Sequence, residues 1–470
     1  METPTIAQAA ALIAARAISP VELVEHCLSR IEALDGALHS FVTVTPERAL
    51  EDARAAERRM MAGTLRGKLD GIPIAHKDIY CTRGIATTAH SRLLAGWVPD
   101  EDAYTVELLA QAGTSMLGKL ATHEFALGGP SFDLPWPPAR NPWNTDHFTS
   151  GSSSGPAAAI AGGLVLGCTG SDTGGSIREP AALCGVAGLK PTYGLCSRRG
   201  ILPLAFSLDH PGPMAWTVED CALLLQEMAA YDAGDLSSVD QPASDFSIGL
   251  GRDVQGLRIG VVPRWHAIDC PISPAVQEGF DAALAVWHDQ GAEIVDLTMP
   301  SLFDYQAVCV VIMICEAYAL HEPWMRSRLD EYGELFRDRI LMGGLISSTD
   351  YLQALRRRRE LCVMMAKITA EVDVIATPGA PREAARIDSI SKWGFLASTG
   401  FAKPFNVTGW PAICVCSGFG EGGLPVSVQI AAKPFEESLL LRVASAFENG
   451  TDFRARRPTF PHSKKLLALA

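Results

Sequence analysis

Gly151-Ser152-Ser153-Ser154-Gly155, then Gly170-Ser171-Asp172-Thr173-Gly174-Gly175-Ser176-Ile177-Arg178-Glu179-Pro180, then Gly188-Leu189-Lys190-Pro191-Thr192, is the stretch on which the reading of this chain turns. Hydroxyls, small side chains and one arginine crowd into a segment too apolar for a solvated linker. Residues 157–169, an apolar piece, separate the two serine-rich turns and would carry the chain through a packed core, returning both turns to one place. A flexible Gly/Ser linker lacks such an insert. In Asp172–Ser176, successive N–H groups without bulky side chains can converge on one point, as in an oxyanion hole or a phosphate nest. A tight strand-to-helix turn is the plainer alternative. No Walker loop and no dinucleotide fingerprint is present. The segment reads as a site built from backbone and serine, with no histidine required.

Outward from it, the first sixty residues read as helical. Ser19-Pro20-Val21-Glu22 combines an N-cap serine, a proline at the first helical position and a glutamate that closes a capping box. Residues 71–78 read as a short buried strand ending in charge, with further strands at 115–118 and 165–170. Residues 127–154, rich in Gly, Pro, Trp and Asn, read as an ordered irregular loop. Beyond Gly200, helices at 217–230 and 273–290 alternate with strands at 257–262, 293–296 and 372–378. Strands at 412–417 and 424–430 form a hairpin. The polar connector 232–254 is the best candidate boundary, yet strands on both sides can share one sheet. The expectation is therefore an α/β protein: residues 1–470 as a single large domain, its central twisted mixed β-sheet covered by helices on both faces. Helices within 1–65 would wrap the core, and a variable helical region, 301–372, would shape a substrate pocket.

Composition narrows the function. At 48% hydrophobic and 20% charged residues the chain has ample material for a core. A formal net charge of −13 argues against a nucleic-acid groove or an anionic membrane surface as partner. The basic run Arg356-Arg357-Arg358-Arg359 reads as a solvated helix face. Twelve cysteines, scattered and without a Cys-x-x-Cys, suit a reducing cytoplasm. There is no signal-type N-terminus, and no run approaches the roughly 18 apolar residues of a spanning helix. A soluble cytoplasmic protein is expected. No His/Asp/Glu set has metal spacing, so neither metal nor cofactor is expected; His76, His123 and His210 read as structural.

Serine needs an adjacent base to act as a nucleophile, and a lysine neutralised by burial can supply one. Lys77, at the end of the 71–78 strand, is the candidate. Taken alone it reads more simply as a solvated or ion-paired residue beside Asp78. Other motifs change that weighting: Gly71-Ile72-Pro73 with Lys77-Asp78, Gly118-Lys119, His123-Glu124-Phe125, Arg140-Asn141-Pro142-Trp143, the block from Gly151 to Thr192, Phe405-Asn406-Val407-Thr408-Gly409 and Gly423-Leu424-Pro425-Val426. With them the chain resembles the amidase signature family over nearly its whole length. Ser150, Ser154 and Pro156 depart from the family's commonest first turn, and none of them removes a catalytic group.

The resemblance implies Ser176 as nucleophile, Ser152 as a relay serine preceded by a cis peptide bond, and Lys77 as base. It implies an oxyanion hole from the N–H groups of Thr173, Gly174, Gly175 and Ser176, with Ser153, Asp172 and Arg178 in support. Leu127, Gly128 and Gly129 would border the substrate. The expected activity is a serine amidohydrolase acting on a small-molecule amide, aryl amide or carbamate. Its expected partners are that small molecule alone, with no nucleic acid and no membrane, and a homodimer is left open. The alternatives are the glutaminase subunit of a tRNA-dependent amidotransferase and a catalytically inactive binding scaffold. Residues 193–200 and the Met-, Cys- and aromatic-rich 303–342 point away from the glutaminase, and the intact Lys77, Ser152 and Ser176 point away from the scaffold.

Overall fold

Eleven strands join in one mixed sheet: β1 (Phe41–Val44), β2 (Pro73–Lys77), β3 (Ser115–Leu120), β4 (Gly167–Asp172), β5 (Ala187–Lys190), β6 (His210–Ala215), β7 (Arg258–Val261), β8 (Glu293–Asp296), β9 (Val374–Pro378), β10 (Ala412–Phe419) and β11 (Pro425–Ala432). The computed structural model describes residues 3–242, 244–397 and 399–460. Across the sheet the order is β1-β3-β2-β4-β6-β5-β10-β11-β9-β7-β8. Pairing is parallel through β3-β2-β4 and β9-β7-β8, and antiparallel between and outside these blocks. Strands from both sides of the 232–254 connector thus share one sheet, and the chain is a single domain.

Side chains alternate across a strand, so a sheet buried on both faces divides its core in two. Ile413, Val428, Ile430, Val374 and Ala376 enter one cluster with the helices Ile6–Ala14, Pro20–Leu38, Val218–Met228, Pro274–Asp289 and Glu437–Asn449. Their neighbours Ala412, Ala431 and Ile375 enter a second, with the helices Leu302–Ser327, Glu334–Leu341 and Ser348–Ile368. Leu302–Ser327 is long and apolar enough to cross a membrane by length and composition, but its apolar window is mostly buried in this second core.

The helix at Pro20 starts as its capping box requires: Ser19 Oγ accepts from Glu22 N at 3.1 Å and Ser19 N donates to Glu22 Oε2 at 2.8 Å. One element inside the stretch expected to be helical is a strand. Asp35 accepts from Ser40 N (2.8 Å) and Phe41 N (3.2 Å), turning the chain so that β1 lies along the edge against β3. Ile430, fully buried in β11, is surrounded on every side. Ile430→Ala should cost about 2–5 kcal/mol, read as a lower midpoint in urea unfolding with an unchanged slope.

Candidate active site

β2 and β4 are parallel neighbours, so both finish at the same edge of the sheet. Lys77 is the last residue of β2; Ser171 and Asp172 are the last of β4. The Lys77 side chain is fully buried, and its Nζ lies 2.7 Å from Ser152 Oγ, 2.8 Å from Ser171 Oγ and 3.0 Å from Ser153 Oγ. Burial pulls its pKa down to about 7 against the opposing pull of Asp172 and Asp209. Asp78 does not offset this. Its carboxylate accepts from Thr88 N and Oγ1 and lies 3.4 Å from Lys119 Nζ.

The second turn hangs on Asp172 and Arg178, both fully buried. Arg178 donates through Nε and Nη2 to the two Asp172 oxygens (3.0 and 2.9 Å) and through Nη2 to Asn406 Oδ1 (2.7 Å). Its Nη1 donates to Ala402 O and Gln429 Oε1, both at 2.8 Å. Burial alone would push the Asp172 carboxyl up, but Arg178, with Lys190 and Asn406, holds it far below the carboxylate range. Asp172 also accepts from the N–H groups of Gly175 (2.8 Å), Ile177 (3.1 Å) and Arg178 (3.3 Å). The expected oxyanion set is thereby altered. Gly175 N–H is occupied by Asp172, whereas those of Thr173, Gly174 and Ser176 make no hydrogen bond among the described residues. Thr173 is held in place by its hydroxyl, which donates to Asp209 Oδ1 at 2.5 Å; burial raises Asp209 to about 6.

The first turn meets the second through the backbone, Ser153 N donating to Ser176 O at 3.1 Å. The Gly151–Ser152 bond is cis, and Ser150 takes a left-handed φ of 60°. Packed on this turn is the His123 ring, stacked on Phe148 at 5.8 Å and occupying the space a side chain at Gly151 or Gly129 would need. That is a structural role. The Ser176 hydroxyl is half-buried and makes no hydrogen bond among the described residues, so it is free to meet a ligand.

Of the residues expected at the substrate, Gly128 packs on Arg339 and Gly129 on His123. A cavity of about 340 Å³ is lined by Ala126, Ile79, Phe206, Asp209, His210 and Ser171, among others, and reaches the serine cluster from the Ser171 side. Ser171, Asp209, Asn406 and Gln429 are site residues that the sequence reading did not assign. Ser171 and Asn406 stand inside family motifs, whereas Asp209 and Gln429 come from distant strands and loops without a local signal. Arg358 spends one N–H on Val407 O (2.8 Å) and has no ion pair among the described residues. Among these residues no group of three or more His, Cys, Asp or Glu could hold a metal.

The family model described as Amidase matches residues 22–441. The chain belongs to the amidase signature family. This amidase-family chain is 39% identical to the A-subunit of the glutamyl-tRNA(Gln) amidotransferase of Chloroflexus aggregans, over 97% of this chain and 98% of the relative. Among solved structures it resembles a chain of a vestigial protein complex bearing on the evolutionary origins of an s-triazine catabolic enzyme. The TM-score there is 0.89 at 33% identity, covering 95% of this chain and 98% of that one. For the corresponding glutamyl-tRNA(Gln) amidotransferase polypeptide of Thermotoga maritima the TM-score is 0.76 at 32% identity, covering 92% and 91%. The expectation of a small molecule as sole partner, with no nucleic acid, is overturned by these amidotransferase relatives. It rested on the acidity of one chain, and a chain's own charge carries no information about what the other members of an assembly bind.

The Asp172–Arg178 pair carries the turn, and its loss should be felt as stability. Arg178→Met should cost about 3–5 kcal/mol by leaving a buried carboxylate uncompensated. Asp172→Asn added to it should recover part of that loss in urea unfolding.

Proposed function

We propose that this amidase-family chain is the amide-hydrolysing subunit of an assembly related to the amidotransferases, releasing ammonia from the side-chain amide of glutamine through an acyl-enzyme on Ser176. The observation that carries the chemistry is a buried Lys77, its pKa lowered to about 7, in contact with Ser152 beside a turn whose Ser176 hydroxyl and Thr173, Gly174 and Ser176 N–H groups are unoccupied among the described residues. The choice of glutamine and of an assembly rests on the amidotransferase relatives, at 39% identity over almost the full length.

The chemistry divides among a few side chains. A neutral amine has two N–H donors and one lone pair, and three serine hydroxyls surround Lys77. Ser153 already directs its proton to Ser171 O (3.3 Å). Of the other two hydroxyls, Ser152 is the nearer at 2.7 Å and lies in the turn that meets Ser176, and its O–H donates to the Lys77 lone pair. Ser176 Oγ attacks the amide carbon as its proton passes to Ser152 and the Ser152 proton passes to Lys77. Charge on the carbonyl oxygen is met by the N–H groups of Thr173, Gly174 and Ser176, each worth about 3 kcal/mol in such sites. The relay then returns a proton to the leaving nitrogen, ammonia departs, and water cleaves the ester along the same path. Twelve free thiols fit this chemistry in a reducing cytoplasm.

A second reading is hydrolysis of a small amide, aryl amide or carbamate outside tRNA work. The likeness to the chain from the complex tied to s-triazine catabolism, TM-score 0.89 at 33% identity, supports a role outside tRNA work. Ammonia release from glutamine, anilides and carbamates, by the chain alone and with whatever subunits co-purify, separates the two. Glutamine turnover that rises with co-purified subunits supports the first reading, and indifference to glutamine in every preparation overturns it. Under either reading Ser176→Ala should abolish turnover, and a fluorophosphonate should label Ser176. A label on Ser152 by mass spectrometry would reverse their roles.

The pH profile follows from Lys77. Below about pH 7 its amine is protonated and cannot accept the Ser152 proton, so kcat/KM should rise through this region and level off above it. Lys77→Ala should lower kcat by roughly 100- to 10,000-fold and remove the rising limb. A wild-type profile flat from pH 5 to 9 is the result that excludes Lys77 as base.

A further inference from the structure

Thr173, Gly174 and Ser176 keep N–H groups free among the described residues, and a free donor serves an oxyanion only when its direction is fixed in advance. Two contacts from outside the turn supply that direction. β4 and β6 pair as far as Asp172 and His210, and one further rung would set Thr173 against Asp209. No such rung forms: Asp209 N donates instead to Ala205 O at 2.9 Å, curling residues 204–209 into a loop. The Asp209 carboxylate closes the loop by accepting from Leu204 N (2.9 Å) and Ala205 N (3.0 Å). It also accepts the Thr173 hydroxyl at 2.5 Å, in place of a backbone rung. Threonine is stiff at χ1, so a held hydroxyl holds the backbone behind it while the N–H stays out of the sheet.

The next peptide is held at its carbonyl. Cys309, fully buried on the helix Leu302–Ser327, donates its S–H to Thr173 O at 3.8 Å and packs 3.6 Å from the point a Gly174 Cβ would occupy. Burial raises the thiol to about 11, so it stays a donor. Thr173 O and Gly174 N–H belong to one planar trans peptide and point opposite ways, so a carbonyl held toward Cys309 turns the N–H away from it. Glu316 lies on the same helix face as Cys309. It accepts from Ser207 N (3.0 Å) and Ser207 Oγ (2.6 Å), fastening the loop that Asp209 closes. One helix face thus braces the turn twice, directly through Cys309 and indirectly through Asp209.

We infer that Asp209 and Cys309 are positioning residues of the oxyanion hole, Asp209 fixing the Thr173 N–H through the Thr173 hydroxyl and Cys309 fixing the Gly174 N–H through the Thr173 carbonyl. This rests on the acyl-enzyme reading for Ser176 and adds to it the side chains that align its backbone donors. It is independent of which amide is cleaved.

A fluorophosphonate tests it, because its phosphoryl oxygen takes the position of the amide oxygen during labelling of Ser176. Saturation of the labelling rate separates the maximal rate from the half-saturating concentration. Thr173→Val, Asp209→Ala and Cys309→Ala should each lower the maximal rate roughly 10- to 100-fold, short of the loss of a whole donor, with the half-saturating concentration kept. Thr173→Ser and Cys309→Ser, which retain an O–H donor, should recover most of the wild-type rate. Thr173→Val combined with Asp209→Ala should be no slower than the slower of the two alone, whereas Asp209→Ala combined with Cys309→Ala should multiply the two losses. Should urea unfolding show that Asp209→Ala does not fold, Thr173→Val against Thr173→Ser reads the same contact. Losses confined to the half-saturating concentration, or no recovery with serine, overturn the inference. Wild-type labelling at Ser176 with all variants unchanged overturns it and leaves the acyl-enzyme reading standing. A wild type that is not labelled at Ser176 removes the reading and the inference with it.

Discussion

Arg178 has five N–H donors, and each has a protein acceptor although no part of the side chain reaches water. Burying a guanidinium is costly unless every donor is matched, and a partly matched network in a low dielectric is worse than an apolar core. The rest of the site depends on this constraint. Asp172 supplies two of the acceptors and at the same time gathers the N–H groups of Gly175, Ile177 and Arg178, bending the chain from β4 into the Arg178–Cys184 helix. The remaining acceptors come from Ala402 and Asn406, just before β10 in the chain, and from Gln429 on β11, beyond β6, β5 and β10 in the sheet order. The position of Ser176 is thus set by charge compensation across the molecule.

Two buried lysines on adjacent strands show how neighbours decide what one residue type does. Lys119 on β3 faces Asp78 and donates to Tyr80 O (2.6 Å) and Thr87 Oγ1 (2.5 Å); burial lowers its pKa, and Asp78 resists. Lys77 on β2 faces hydroxyls only. Hydroxyls solvate an amine without requiring it to be charged, whereas a carboxylate does require it. Asp78, adjacent to Lys77 in sequence, is held by Lys119 and Thr88. Lys119 is therefore part of what leaves Lys77 without a carboxylate in contact.

Much of this architecture was legible in the residues, for reasons that can be named. Strong local signals, such as the capping box at Ser19 and the apolar runs of β9, β10 and β11, report structure that forms through neighbours in sequence. β6 was not legible. His210-Pro211-Gly212-Pro213-Met214-Ala215 carries two prolines and a glycine, yet it pairs with β4 along its whole length. It is tolerated there because β5 pairs only with Met214 and Ala215, beyond both prolines. Lys77, Ser152 and Ser176 lie in motifs and could be named. Asp209 and Gln429 act through long-range contacts to Thr173 and Arg178, which leave no pattern in a single chain.

Every group in the proposed chemistry lies before residue 180, but the acceptors that complete Arg178 lie at 402, 406 and 429. On the ribosome the hydroxyls, the lysine and the turn emerge first, and from residue 178 until residue 402 is made the guanidinium has only Asp172 among its acceptors. The acceptor set is complete only when β11 adds to the sheet beside β10 and brings Gln429 into place. A chain that ends before residue 402 thus carries Lys77, Ser152 and Ser176 without the acceptors that fix Arg178.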